Sequence, residues 1–203
     1  MAFNLYANSN IMVIGSTFTG KTTAVLKIIK QRKIHPMPKK IFYLYGAKQP
    51  FMDTWNLDKQ NPEIEFIKGL QLDVIDAYIK PKLLIIDDLM MEQNKDLANH
   101  FIAGSHHKQT TTIYITHSLF VKNDIYRIIM NNCQYMILMK NKRNYSQVKT
   151  LAGQVLAEER HRIVDGYKYI KPFDFLLLSF HANVPEELLV TADYFSKCPS
   201  VFL

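Results

Sequence analysis

Apolar stretches of strand length alternate with amphipathic stretches along most of the chain. In the amphipathic stretches apolar residues recur on one helical face, as Val25, Ile28 and Ile29 do. Continuous apolar strands are typical of a parallel sheet that helices cover on both faces. The pattern therefore predicts an α/β fold, with a mostly parallel five-stranded core sheet sandwiched by helices and extra C-terminal strands.

The predicted elements follow one another in a regular order along the chain. Core strands are predicted at residues 11–14, 41–45, 83–87, 111–116 and 135–139. Helices are predicted at residues 22–33, 74–79, 95–105, 124–131 and 146–158. A short edge strand is predicted at residues 63–67, and the extra C-terminal strands at residues 173–180 and 187–191.

Length and composition favour one globular unit. The 203 residues are 48% hydrophobic and 21% charged, enough for one sizeable core. We expect a single domain over residues 1–203, with a core over 8–155 and a C-terminal extension over 156–203 that carries no motif. No apolar run approaches the roughly 20 residues of a membrane helix, and the N-terminus lacks a secretory pattern. Two cysteines, Cys133 and Cys198, fit a reducing compartment.

The charge balance points to an acidic partner. The net charge is +7 and the pI about 9.3, which favours a polyanion, nucleic acid before a membrane. Two basic clusters stand out: Lys27, Lys30, Arg32, Lys33, Lys39 and Lys40, and then Lys140, Lys142 and Arg143. Each cluster is also compatible with an ordinary solvated surface.

The first predicted strand runs into a glycine-containing loop that opens a helix, in the pattern Gly-x-x-x-x-Gly-Lys-Thr. Such a loop aims several backbone N–H groups and a helix N-terminus at one phosphate. Lys21 supplies a full positive charge toward the β- and γ-phosphates, and the Thr22 hydroxyl reaches Mg²⁺. The motif predicts that ATP and Mg²⁺ bind at this loop. The predicted nucleotide-binding residues are Gly15, Ser16, Thr17, Phe18, Thr19, Gly20, Lys21, Thr22 and Thr23.

A second group of candidate site residues lies at the end of the strand predicted at residues 83–87. Asp87 and Asp88 follow a continuous apolar run, and Mg²⁺ prefers hard oxygen ligands such as carboxylates. We assign Asp87 to the metal ion, with Thr22, and Asp88 to the water that attacks the γ-phosphate. An apolar run that ends in two aspartates is mostly structural on its own, so this assignment depends on the upstream loop.

A third candidate site residue follows the strand predicted at residues 111–116. His117 there is a candidate hydrogen-bond donor that senses the γ-phosphate, although a lone histidine at a strand end is otherwise unremarkable. His106 and His107, with His100 nearby, invite a metal-site interpretation. Zinc sites usually show clearer ligand spacing, so that interpretation is not favoured.

The order of these motifs resembles the genome-packaging ATPases of double-stranded DNA viruses and virus-like transposons, in the FtsK/HerA superfamily of RecA-like P-loop NTPases. The resemblance covers about residues 8–155 and includes the loop, the segment Leu-Ile-Ile-Asp-Asp-Leu-Met, and Gly-Ser-His-His at residues 104–107. It also includes residues 113–120, Ile-Tyr-Ile-Thr-His-Ser-Leu-Phe, and residues 127–132, Arg-Ile-Ile-Met-Asn-Asn.

The resemblance implies a homo-oligomeric ring, a pentamer or hexamer, that hydrolyses ATP to push duplex DNA into a preformed viral capsid at its portal vertex. It implies a location inside the virion or the host cell. It also implies an arginine that a neighbouring subunit contributes, for which Arg127 and Arg143 are the candidates. Relatives usually carry glutamine in place of His117, and Pro-Arg-Asp where this chain has Lys-Arg-Asn at residues 142–144.

Four other nucleotide-binding functions are less compatible with the sequence. A nucleoside or nucleotide kinase suits the length and the loop equally, but such enzymes need an arginine-rich lid and arginine is sparse here. A GTPase is disfavoured because residues 141–144 lack the acid that reads guanine. A transporter-type ATPase is disfavoured because no Leu-Ser-Gly-Gly signature occurs. An ATP-bound scaffold without catalysis requires Asp88 or the neighbouring arginine to be out of place.

Overall fold

The fold is built on a nine-stranded sheet, with a separate two-stranded sheet beside it. The computed structural model describes residues 4–203, without the side chains of residues 104–107. The strands are β1 (Leu5–Tyr6), β2 (Asn10–Ile14), β3 (Ile34–His35), β4 (Lys40–Tyr45), β5 (Glu65–Lys68), β6 (Lys82–Asp87), β7 (Thr110–Thr116), β8 (Tyr135–Met139), β9 (Phe175–Ser179), β10 (Val190–Ala192) and β11 (Ser200–Val201). The α-helices are α1 (Lys21–Lys30), α2 (Phe51–Thr54), α3 (Leu72–Asp76), α4 (Lys95–His107), α5 (Asp124–Asn131), α6 (Tyr145–Val155) and α7 (Arg160–Tyr169).

The strand order decides which loops lie side by side. The large sheet runs β11-β10-β9-β8-β2-β7-β6-β4-β5. From β8 to β5 every neighbouring pair is parallel, whereas β9, β10 and β11 pair antiparallel. Because parallel strands end at the same edge, the segments after β2, β7 and β6 lie next to one another.

Alternate residues of the central strands feed two cores on opposite faces of the sheet. Ile11 and Val13 of β2 point to the face that α1 covers, where Val25, Ile28 and Ile29 are fully buried. On the opposite face, residues of the same strands pack with apolar residues of the other long helices, among them Leu97 and Phe101 of α4, Ile129 of α5, Leu151 of α6 and Ile163 of α7. This two-sided burial explains the continuous apolar runs in the sequence.

The predicted α/β fold is confirmed, with differences in the bounds of α3 and in the number of parallel strands. The short strand at the sheet edge exists, so the parallel part has six strands. The third helix covers only Leu72–Asp76, and Ile79, expected on its buried face, is 86% exposed. The helical spacing of apolar residues in the sequence extends to Ile79, but the chain leaves the helix at Ala77 and Tyr78 and turns toward β6.

The segment after α6 holds a helix that the sequence pattern did not predict. α7 spans Arg160–Tyr169, a stretch rich in charged residues. Its burial depends partly on a charged side chain: Arg162, 4% exposed, donates to the carbonyls of Phe202 and Glu186 and to the Glu159 carboxylate. A buried, fully paired arginine reads as a surface residue in a periodicity analysis, which is why the helix was missed.

Within residues 4–203 no helix is long and apolar enough to cross a membrane.

The contact between α4 and β7 contains a buried histidine that can be tested. His100 is 3% exposed, and its Nε2 lies 2.9 Å from the Thr112 hydroxyl. The pKa of His100 is lowered from 6.5 to about 4, mainly by burial; Asp76 opposes this shift, and Lys108 and Lys82 add to it. The unfolded chain therefore takes up this proton at a higher pH than the folded chain does.

We expect the free energy of unfolding to fall as the pH falls from the unfolded-state value of about 6.5 toward 4. Urea unfolding of the native protein should show a loss of about 2 kcal/mol from this group between about pH 8 and pH 5. His100→Gln keeps a hydrogen-bonding side chain and removes the titration, so its loss should be smaller by that amount. Equal losses in the two proteins would contradict the assignment.

Candidate phosphate-binding site

The loop between β2 and α1 is held in a fixed shape by hydrogen bonds to its backbone groups. The N–H of Gly15 donates to the Thr116 carbonyl at 3.2 Å, and the Thr19 hydroxyl donates to the Ser16 carbonyl at 2.8 Å. A Cβ on Gly15 would lie 2.5 Å from Oγ1 of Thr19, so no side chain fits there. Gly20 has a φ of 92° directly before α1, a conformation that favours glycine. The loop geometry therefore requires both glycines of the motif.

A cavity of about 330 Å³ lies in front of this loop. The ends of four parallel strands contribute to it, because β2, β7, β6 and β4 all finish at this edge of the sheet. Its lining residues are Thr17, Phe18, Thr19, Gly20, Lys21, Thr22, Thr23, Gln49, Asp87, Asp88 and His117. The cavity thus brings together the loop, the two aspartates after β6 and His117, as the sequence predicts. Seven of the nine predicted loop residues line it, all except Gly15 and Ser16.

Three charged or titratable side chains form a hydrogen-bonded line across the cavity. The Lys21 ammonium donates to the Ser16 carbonyl at 3.0 Å and lies 3.2 Å from Nδ1 of His117. Nε2 of His117 lies 3.3 Å from Oδ1 of Asp88. An ammonium group can only donate, so Nδ1 accepts and Nε2 carries the hydrogen toward Asp88. His117 therefore links the lysine of the loop to the carboxylate of the β6 end.

Asp87 occupies a more buried position than Asp88. It is 5% exposed, and its Oδ2 accepts hydrogen bonds from the Tyr43 hydroxyl at 2.6 Å and from Nε2 of Gln49 at 2.8 Å. Burial raises the pKa of Asp87, and these two hydrogen bonds oppose that shift. Burial likewise lowers the pKa of Lys21, with Asp87 and Asp88 opposing it. The opposite charges thus offset part of one another's desolvation.

The oxygen atoms near Asp87 fit a magnesium ion. The Tyr43 hydroxyl interacts with the side chains of both Asp87 and Thr22, which places these two predicted ligands in one cluster. Both hydrogen bonds to Asp87 engage Oδ2, so Oδ1 is available to a ligand. A hydroxyl and a carboxylate are hard donors of the kind that Mg²⁺ accepts while it keeps most of its water.

Asp88 is held in an unusual backbone conformation at the cavity edge. Its φ is 58°, in the left-handed region that non-glycine residues rarely adopt. A Cβ on Gly46 would lie 2.5 Å from the Asp88 carbonyl oxygen, so only glycine permits the approach of the two segments. Strain of this kind costs of order 1 kcal/mol and concentrates at functional sites.

The two arginines proposed for a neighbouring site lie outside this cavity. Arg127 is exposed on α5 and pairs with Asp124 at 2.9 Å. Arg143 is exposed in the turn Lys142–Asn144 directly after β8. That turn reaches the phosphate loop through Asn141, whose side-chain amide donates to the Ser16 hydroxyl. Arg143 is therefore two residues along the chain from a contact with the loop, whereas Arg127 lies beside another cavity with Phe120.

The histidine-based metal interpretation finds no support in the part of the chain that is described. No group of three or more metal-ligating side chains occurs among those residues. His100 is buried against Thr112. His106 and His107 lie outside the described side chains.

Sequence reasoning missed three contributors: Tyr43, Gln49 and Asn141. Tyr43 reads as one more apolar position in a buried strand, and its hydroxyl gives no pattern. Gln49 and Asn141 follow β4 and β8, at the carboxyl edge of the same parallel sheet. A search for polar residues after every predicted parallel strand would have found both of them.

Comparison with known proteins supports the fold. No protein-family model matches the chain, and no curated protein does. The structure is similar to the genome packaging NTPase B204 from Sulfolobus turreted icosahedral virus 2 in complex with ATP-gammaS, with 11% identity, a TM-score of 0.57 and 96% of each chain covered. It is also similar to B204, the DNA-packaging ATPase from Sulfolobus Turreted Icosahedral Virus, with 12% identity, a TM-score of 0.58, and 97% and 98% of the two chains covered. The chain therefore has the fold of a viral genome-packaging NTPase, as the sequence resemblance implied.

Proposed function

We propose that this protein is an ATP-hydrolysing motor that moves duplex DNA into a preformed viral capsid. The observation that carries the proposal is the line from Lys21 through His117 to Asp88, with Asp87 buried beside it. This arrangement supplies a cation for the phosphates, a ligand for a metal ion and a carboxylate for a water molecule in one cavity. The similar B204 structures, which include complexes with ATP-gammaS and AMPPCP, support the same assignment.

In this proposal each side chain has a separate task. Lys21 and the backbone N–H groups of the loop hold the β- and γ-phosphates. Asp88 orients and polarises the attacking water. Mg²⁺, held by Thr22 and Asp87, would neutralise charge on the phosphates. His117 contacts both Lys21 and Asp88, so its hydrogen bonds change when a γ-phosphate arrives or leaves.

The charged surface supports a nucleic-acid partner in a specific place. Several basic side chains are already engaged within the chain, including Lys30 with Asp58 and Lys40 with Glu65. Lys140 donates to two main-chain carbonyls. Among the described residues of the two basic clusters, Arg32, Lys39, Lys142 and Arg143 are exposed and make no side-chain ion pair or hydrogen bond. Lys142 and Arg143 lie on the turn after β8, next to the Asn141 that contacts the phosphate loop. We assign Lys142 to a DNA phosphate, and Arg143 to a phosphate or to the nucleotide of a neighbouring subunit.

The assembly that we propose is a ring of five or six copies, bound at the portal vertex of a capsid inside a virion or host cell. In the proposed ring, Arg143 on the exposed turn after β8 faces the following subunit. An arginine supplied across such an interface stabilises the transition state electrostatically.

A nucleotide kinase is less well supported. Such an enzyme needs arginines that close over both substrates, and among the described residues no arginine lines the phosphate cavity.

The hydrogen-bonded line from Lys21 through His117 to Asp88 can be tested by substitution of His117. His117→Gln keeps one acceptor for Lys21 and one donor for Asp88, so we expect its ATPase rate to stay within about fivefold of wild type. His117→Leu has neither group and should lose about 100-fold or more, the typical effect of removing a positioned polar group. Steady-state phosphate release measures both, with Lys21→Ala as the inactive reference. A fully active His117→Leu protein would contradict a role for this line.

Binding of duplex DNA can be tested through the ATPase rate and the salt dependence of the affinity. Duplex DNA should raise the ATPase rate, and the DNA affinity should fall steeply as salt increases because phosphate contacts release counterions. Lys142→Ala should reduce the slope of log affinity against log salt by about 1, the effect of one phosphate contact. Fluorescence anisotropy with a labelled duplex measures this slope.

Lys48→Ala is the matched control, since it removes the same charge from a lysine that pairs with Asp53 at 2.5 Å. Equal slopes for both variants would remove Lys142 from the DNA contact. A rate that ignores duplex DNA but rises with an added nucleoside would favour the kinase.

A further inference from the structure

A second cavity, of about 250 Å³, continues from the phosphate cavity along α1. Gly20 and Thr23 line both cavities. The second cavity is mostly apolar, and its lining residues are Gly20, Thr23, Ala24, Lys27, Phe173, Asp174, Phe175 and Phe195. A ligand whose phosphates occupy the first cavity can therefore extend directly into the second.

Three phenylalanines, Phe173, Phe175 and Phe195, give this cavity aromatic surface. Phe195 is fixed in place, since its ring packs edge-on against Phe175 with centroids 5.5 Å apart. The Lys27 ammonium lies 4.2 Å from the Phe195 ring centroid, a cation–π contact that also holds the ring. Phe195 thus forms a rigid aromatic wall beside α1.

Phe173 lies at the opening of the cavity in a strained backbone conformation. Its φ is 69°, in the left-handed region, and the side chain is 70% exposed. The turn that carries it is anchored, because the Asp174 N–H donates to the Lys171 carbonyl and the Asp174 carbonyl accepts from the Lys140 N–H, each at 3.0 Å. A Cβ on Gly20 would lie 3.6 Å from the Phe173 ring. A strained backbone therefore holds an exposed aromatic ring against the end of the phosphate loop.

We infer that this cavity binds the nucleobase of the nucleotide, with Phe173 stacking on the base and Phe195 closing the far side. The inference rests on the proposed function, because it takes the phosphates to lie in front of the loop. A base has an aromatic face that stacks on phenylalanine regardless of its identity, and the Asp174 carboxylate can accept a hydrogen bond from an amino group on the base. This gives the C-terminal extension, which contributes both phenylalanines, a role in nucleotide binding.

The test compares a ligand that has a base with one that lacks it. Calorimetry measures the affinities of a non-hydrolysable ATP analogue and of inorganic tripolyphosphate, each with Mg²⁺. Phe173→Ala should weaken the analogue about tenfold, the usual scale for loss of one base-stacking contact, and leave tripolyphosphate unchanged. Phe173→Trp should restore the analogue affinity. Phe120→Ala is the matched control, an exposed phenylalanine beside a different cavity.

Each outcome has a definite consequence. If Phe173→Ala binds the analogue as tightly as wild type does, the base does not stack there and the inference is overturned. If both ligands weaken equally, Phe173 shapes the phosphate loop instead, which also overturns it but leaves the proposed function standing. If the wild-type protein binds neither ligand, the proposed function itself fails.

Discussion

Parallel pairing of β2 with β7, and of β7 with β6, is the constraint on which the site depends. It fixes three strand ends at one edge of the sheet, so the loop after β2, His117 after β7 and Asp87 at the end of β6 lie side by side. Both faces of these strands are buried under helices. A shift of register would disrupt the apolar packing on both faces, so the sheet holds the loop, His117 and Asp87 in place.

Within that frame, charge balance determines the character of the site. Lys21 and Asp87 are both buried, and each reduces the penalty that burial imposes on the other. His117 connects the lysine with Asp88, the less buried of the two carboxylates. Asp87, the proposed metal ligand, is thus fixed by Tyr43 and Gln49, whereas the carboxylate proposed for water activation keeps access to solvent. This division of roles follows from burial rather than from residue type.

Much of this arrangement could be predicted from the sequence, and the exceptions have physical causes. The loop motif needs particular residues in a particular order, and continuous apolar strands indicate a parallel sheet, so Lys21 and Asp87 could be placed in advance. The contact of Tyr43 with Asp87 could not be predicted, because strand periodicity does not indicate what a hydroxyl contacts. The helix Arg160–Tyr169 escaped because Arg162 is buried by hydrogen bonds rather than by apolar contact. The nucleobase cavity escaped because Phe173 lies about 150 residues along the chain from the loop that it contacts.

The central claim, that ATP hydrolysis moves the protein along duplex DNA, is tested most directly by displacement of a third strand. A labelled oligonucleotide is bound as a triplex to one end of a linear duplex, and its release is followed after ATP is added. We expect wild-type protein to release it with ATP, and neither a non-hydrolysable analogue nor the Asp88→Asn variant to do so. Hydrolysis that duplex DNA stimulates without any release of the third strand would contradict the account.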